Sequence, residues 1–182
     1  MSLVTFNTLK QFVAQDILTP VREEYINGAS IDVRLGQTFW FEDPNSTADI
    51  DLVNKESPRL IPVHADIEDR IPLHPLSFCL ASTIEVFNLP NHVACEFRLK
   101  STLARSGLDQ SLAVWCDPGW HGSVLTIELF NNLSHHRLLL TPGMKIGQVV
   151  FYTGEAVPDQ NSYATKGQYN KDTASTPSKG IR

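Results

Sequence analysis

Apolar and polar residues alternate over short runs along the chain, at 30–35, 38–42, 77–87, 92–99, 123–130 and 145–152. A period of two turns one face of each run toward a core, so each is expected to be a β-strand. Prolines and glycines fall mostly between the runs, at Pro44, Pro58, Pro72, Pro75, Pro90, Pro118-Gly119 and Pro142-Gly143. That punctuation belongs to an all-β sandwich or barrel. A helical period occurs near the start, where Leu9, Phe12, Val13 and Ile17 follow the possible caps Thr5 and Asn7; it predicts a short amphipathic helix docked on the core. From Pro158 the composition turns to Gln, Asn, Ser, Thr, Lys and Gly, with Tyr163 and Tyr169 as the large apolar groups. Such a segment cannot form a core by itself. The expected organisation is one mainly β domain over residues 1–157, opened by the helix, and a flexible tail over 158–182.

Composition narrows the function classes. At 182 residues and 42% hydrophobic the chain is long enough for one substantial core. Fifteen basic against twenty acidic residues give a net charge of -5, which argues against a nucleic-acid or anionic-membrane surface and leaves room for a single nucleotide held by a few local cations. Cys79, Cys95 and Cys116 are odd in number, scattered and flanked by apolar residues, so they read as buried thiols rather than disulfides or metal ligands. Lys10 and Asp16 interrupt the first apolar pattern; neither a secretion signal nor a membrane span is expected, and the location expected is cytoplasmic. The His-x-Glu and Pro-Cys-x-x-Cys elements of a zinc deaminase do not occur, and no histidine stands at ligand spacing from a cysteine, so no catalytic zinc is expected.

Three stretches carry candidate chemistry. Leu125-Thr126-Ile127-Glu128-Leu129-Phe130 reads as a buried strand with one acid in it. A carboxylate there costs several kcal/mol unless it is paired, neutralised or put to use. Two uses are open. Facing an enclosed pocket, Glu128 takes a proton from water and returns it to a leaving group, burial having raised its pKa toward the working pH. Alternatively it pairs inside the fold with a cation such as Arg98 or Arg105. Ser101-Thr102-Leu103-Ala104-Arg105-Ser106-Gly107 offers two hydroxyls and a guanidinium before a glycine. If the hydroxyls begin a helical turn, free amides converge with Arg105 on an anion; the same residues also suit a plain helix cap. Asp117-Pro118-Gly119-Trp120-His121-Gly122 is a tight turn, in which Asp117 could accept from a sugar hydroxyl and Trp120 could support a base or sugar.

Taken with Asn27-Gly28-Ala29-Ser30-Ile31-Asp32-Val33-Arg34-Leu35-Gly36 and Pro142-Gly143-Met144-Lys145-Ile146-Gly147-Gln148, these stretches form five ordered motifs. Through them the chain resembles the dCTP deaminases of the trimeric dUTPase-like superfamily. The resemblance implies a distorted β-barrel or jelly roll, a homotrimer with active sites shared between subunits, and dCTP as the small-molecule substrate. It implies that Glu128 activates water for attack on the 4-position carbon of cytosine and delivers the proton to departing ammonia, with no catalytic metal. Ser101 and Arg105 would hold the water and contact the phosphates, Lys100 and Thr102 would add phosphate contacts, and the Ala113 backbone would orient water and base. Asp117 and Trp120 would recognise deoxyribose, and magnesium would ride on the triphosphate rather than on protein ligands.

Tyr163 matches a tyrosine that folds over the nucleotide, which makes the tail a lid. Here the chain departs from the family: a Lys-Tyr pair reads Gln168-Tyr169, a Gln reads Asp172, and Lys166 or Lys171 becomes the candidate phosphate cation. The segment around Asp109-Gln110-Ser111-Leu112 is also one residue shorter than in many members. The leading expectation is release of dUTP and ammonia in deoxynucleotide synthesis. The alternatives are a bifunctional enzyme giving dUMP and pyrophosphate, with Asp117 orienting a second water, and a non-catalytic nucleotide-sensing trimer. A plain dUTPase fits less well, because it carries Tyr where Trp120 stands and has no need of Glu128.

Overall fold

The computed structural model describes residues 1–113 and 115–180. Its strands are β1 (Ser2–Leu3), β2 (Leu18–Thr19), β3 (Ile31–Arg34), β4 (Thr38–Glu42), β5 (Leu60–His64), β6 (Ile71–Leu73), β7 (Phe78–Asn88), β8 (Val93–Leu99), β9 (Leu108–Gln110), β10 (Trp115–Cys116), β11 (His121–Asn131), β12 (Leu138–Leu140) and β13 (Lys145–Thr153). The helices are short: α1 (Phe6–Ala14), α2 (Ser101–Arg105) and α3 (Tyr163–Lys166).

The strands form two main antiparallel sheets. One runs β1-β13-β8-β10, with β3 also on β13; the other runs β5-β4-β7-β11-β9, with β2 on β7. A separate ribbon pairs β6 with β12. One apolar cluster takes side chains from both sheets, including Val33, Phe97 and Phe151 from the first and Phe39, Cys79, Ile127 and Leu129 from the second. The expected mainly β class stands, with one correction: among the described residues both sheets keep open ends, so these strands do not close into a barrel.

Alternation explains the long strands. In β11, Ile127 and Leu129 are 1% and 0% exposed, whereas Thr126, Glu128 and Phe130 between them are half-buried. Glu128 therefore lies on the face away from the core, so the strand read as buried is fully buried on its core face and half-buried on the face that carries the acid. Helix α1 buries Leu9 and Phe12, and the Phe12 ring meets Phe151 edge-on at 5.7 Å. It ends before Ile17 because Asp16 takes a positive φ of 54°, and Ile17 then reaches the core from outside the helix.

Two buried acids fix β3 in place: Glu85 of β7 ties it to the second sheet, and Asp32 within it holds Lys100, Lys145 and Asn27. Glu85 is fully buried and accepts from the Arg34 side chain at 2.7 Å and from the Arg34 backbone amide at 2.8 Å. Burial pushes its carboxyl up, against the pull of Arg34. Asp32 is also buried. Burial alone would raise it, but bonds from Lys100, Lys145 and Asn27 outweigh that and hold its carboxyl below the usual range.

Candidate active site

A cleft of about 500 Å³ opens on the outer face of the second sheet, within the size range of small-molecule pockets. Its floor is the outward face of two neighbouring strands, with Phe78 and Leu80 from β7 and Val124, Thr126 and Glu128 from β11. Leu80 is the cross-strand partner of Glu128. Ser57, Pro58 and Leu60 wall one side, while Ala113, Trp115, Cys116, Asp117 and Trp120 wall another.

Glu128 is the acid on the strand floor of this cleft. Burial raises its carboxyl above the ordinary value, partly opposed by its own backbone amide and by Gln110, whose side-chain amide donates to Oε2 at 3.3 Å. The alternative reading, an internal pair with Arg98 or Arg105, is not what the structure holds. Arg98 pairs with Glu96, and no ion pair to Glu128 occurs among the described residues.

The Asp117 turn forms as expected: the Trp120 amide donates to the Asp117 carbonyl at 3.2 Å, and Gly119 supplies the positive φ of 86° that follows a proline in such a turn. The Asp117 carboxyl accepts from the Trp115 indole at 2.9 Å. Trp120 is nearly buried, 5.0 Å from the Phe87 ring, and its indole N–H donates to the Tyr169 carbonyl at 2.7 Å.

The segment after Pro158 completes the cleft by docking across the sheet. Asp172 accepts at its carbonyl from the Val124 amide at 2.9 Å, the His121 amide bonds the Asn170 side chain at 3.0 Å, and the Trp40 indole bonds the Ser175 carbonyl at 2.9 Å. Ser162 and Ser175 are buried. Tyr163, Tyr169, Asp172 and residues 176–178 thereby line the cleft. Burial raises the Tyr163 phenol. Asp172 is clasped by Lys179, whose ammonium reaches its two carboxylate oxygens at 2.8 and 3.0 Å.

Of the residues singled out in the sequence, Ala113, Asp117, Trp120, Glu128 and Tyr163 share this cleft. Gln168 offers its carbonyl to Lys179, at 2.9 Å, and Lys166 closes α3; neither lines the cleft. Lys100, Ser101, Thr102 and Arg105 lie elsewhere, in and before the exposed α2, and Lys100 is bound to Asp32 at 2.7 Å. Trp115 and Thr126 line the cleft and Gln110 bonds Glu128 from behind it, and sequence signals passed over all three; Tyr169, noted in the sequence as a tail aromatic, also lines the cleft. Trp115 was the nearest to detection, as a large aromatic two residues before Asp117.

Residues 5–154 match the family described as dCTP deaminase-like. The chain belongs to that family. A relative from Nocardia farcinica, 35% identical over 163 residues that cover 88% of this chain and 81% of that protein, is named "dCTP deaminase, dUMP-forming". Further relatives at 33–38% identity carry the same name. Those names overturn the expectation that dUTP is the final product. Among solved structures, the 2'-deoxycytidine 5'-triphosphate deaminase from Agrobacterium tumefaciens is similar with a TM-score of 0.63 at 15% identity, over 87% of this chain and 50% of that one. This chain thus spans about half its length. A dUTPase from phage phi11 of S. aureus, which coordinates a structural Mg(II) ion, is similar with a TM-score of 0.50 at 13% identity, over 87% of this chain and 94% of that one. These two likenesses define the fold as dUTPase-like.

Proposed function

We propose that this protein converts dCTP to dUMP, with release of ammonia and pyrophosphate. The observation that carries the reading is a single desolvated carboxyl, Glu128, on the floor of a nucleotide-sized cleft. Glu128 removes a proton from water as the water attacks the 4-position carbon of cytosine, and gives it to the amino group as the carbon–nitrogen bond breaks. A raised pKa suits a group that must act as base and then as acid near neutral pH. A second water attacks the α-phosphorus and expels pyrophosphate; Asp117 orients it, its own carboxyl held by the Trp115 indole. Ala113 supplies backbone to the water and base, and Trp120 packs beside the sugar.

A triphosphate also needs cations, and the described residues lining the cleft include Asp117, Glu128 and Asp172 but no Lys or Arg. That deficit supports a site completed by a second copy of the chain, whose Lys100, Ser101, Thr102 and Arg105 would meet the phosphates in a homotrimer. Magnesium arrives with the triphosphate. No group of three or more His, Cys, Asp or Glu side chains converges as a metal cage among the described residues. The docked segment after Pro158 serves as the lid, with Tyr163 over the nucleotide, and Lys166 and Gln168 at its outer edge.

Turnover by Glu128→Gln tests the assignment. The variant should bind dCTP with a Kd near that of the wild type and release no ammonia. Retained ammonia release would remove Glu128 from the chemistry.

A further inference from the structure

Gln110 sits in a three-residue strand and lines none of the cleft, yet it is buried, only 7% exposed, behind the catalytic floor. The register of β9 on β11 places it opposite Leu129, next to Glu128. Its side-chain nitrogen makes two donations, to the Ser111 carbonyl at 3.0 Å and to Glu128 Oε2 at 3.3 Å. The first anchors the amide; the second then has a fixed direction. The Ser111 amide in turn donates to the Glu128 carbonyl at 3.0 Å, so backbone and side chain of the same strand pair are tied together. No other side chain among the described residues donates to the Glu128 carboxyl.

We propose that Gln110 is the positioning residue for Glu128, holding the carboxyl by Oε2 so that Oε1 is the oxygen that takes and returns the proton. The proposal rests on Glu128 being the general base. Other titratable groups lining the cleft are Cys116 of β10 and Asp117 after it, and Tyr163, Tyr169 and Asp172 from the lid; none is a cation. Opposite on β7 stands Leu80, and Asp109, the acid of β9, accepts from the Asn132 side chain. The Gln110 amide is therefore the side chain that favours the carboxylate form, and burial opposes it.

The test follows ammonia release from dCTP across the acid limb of kcat/KM. Gln110→Met keeps the shape without the donor and should move that limb up by about one pH unit, with the KM for dCTP changed by less than about twofold and kcat below the limb reduced. Gln110→Glu sets a second carboxyl against the first and should move the limb further, by about two units. The order wild type, Met, Glu is the result expected. A limb that stays in place in both variants while kcat merely falls makes Gln110 a packing residue and overturns the proposal; Gln110→Glu decides the matter alone if the Met variant does not fold. Glu128→Gln, measured in parallel, separates two failures. If it still releases ammonia, the general base is misassigned and the proposal falls with it. If it is silent and the limbs coincide, Gln110 alone is misassigned.

Discussion

The Lys179 clasp gives a quantitative handle on the proposed lid. Lys179 reaches both Asp172 oxygens and the Gln168 carbonyl, and its ammonium lies 4.8 Å from the Tyr169 ring. The Lys179 side chain is 36% exposed and that of Asp172 19%, so solvent screens the pair in part. An exposed ion pair contributes about 0.2–1 kcal/mol and an exposed cation–π contact about 0.5–1 kcal/mol. Together they bias the proposed lid toward its docked position by about 0.7–2 kcal/mol, or about 3–30-fold in the docking equilibrium. Lys179→Met keeps the stem and removes the charge. We expect the KM for dCTP to rise by about that factor with a smaller change in kcat. Amide hydrogen exchange should accelerate at Lys171, Val124 and Thr176, whose N–H groups bond across the lid junction. The double variant with Asp172→Asn should be no worse than the worse single variant, because both remove the same clasp. An unchanged KM with unchanged exchange, or strictly additive effects, would refute the reasoning.

Other perturbations follow from the buried groups. In Glu128→Gln the melting temperature should rise at neutral pH: burial raises the Glu128 pKa in the fold, which contributes stability below the unfolded value of about 4.3 that is lost as pH rises through the folded pKa. The gain should therefore vanish in acid, and scanning calorimetry against pH checks the sign. Arg34→Met leaves the fully buried Glu85 carboxyl without its counter-ion and should cost about 3–5 kcal/mol in urea unfolding. Gly147→Ala drives a methyl into the Phe97 ring and to 2.8 Å from the Arg98 carbonyl, where β13 and β8 are paired; a loss of at least about 1–3 kcal/mol is expected by the same measurement.

How far the sequence reached depended on how local each signal was. The six long alternating runs lie where strands form, because a period of two is written in consecutive residues. Strands β9, β10 and β12 have two or three residues and exist through their partners, so no window of the chain announces them. Gln110 was invisible for the same reason. The apolar parity of Ile127 and Leu129 already implied that Glu128 faces away from the core, a consequence hidden while the whole run was read as buried. Tail docking was not legible either: its anchors are backbone groups of Tyr169, Asp172 and Ser175 meeting Trp120, Val124 and Trp40, and composition says nothing of such bonds. The Ser101 to Arg105 motif was easy to find in the sequence, but its place was not: a local cluster of hydroxyls and a guanidinium does not say that it lies in and around α2, away from the cleft.

The central claim is one carboxyl-driven deamination coupled to triphosphate cleavage in one site. Its most direct test is product analysis after the protein turns over dCTP with magnesium, resolving ammonia, dUTP, dUMP and pyrophosphate in time. Ammonia, dUMP and pyrophosphate rising together in equal amounts, without build-up of free dUTP, is the predicted result. Accumulation of dUTP as the end product, or dCTP left intact by protein that binds it, would contradict the account.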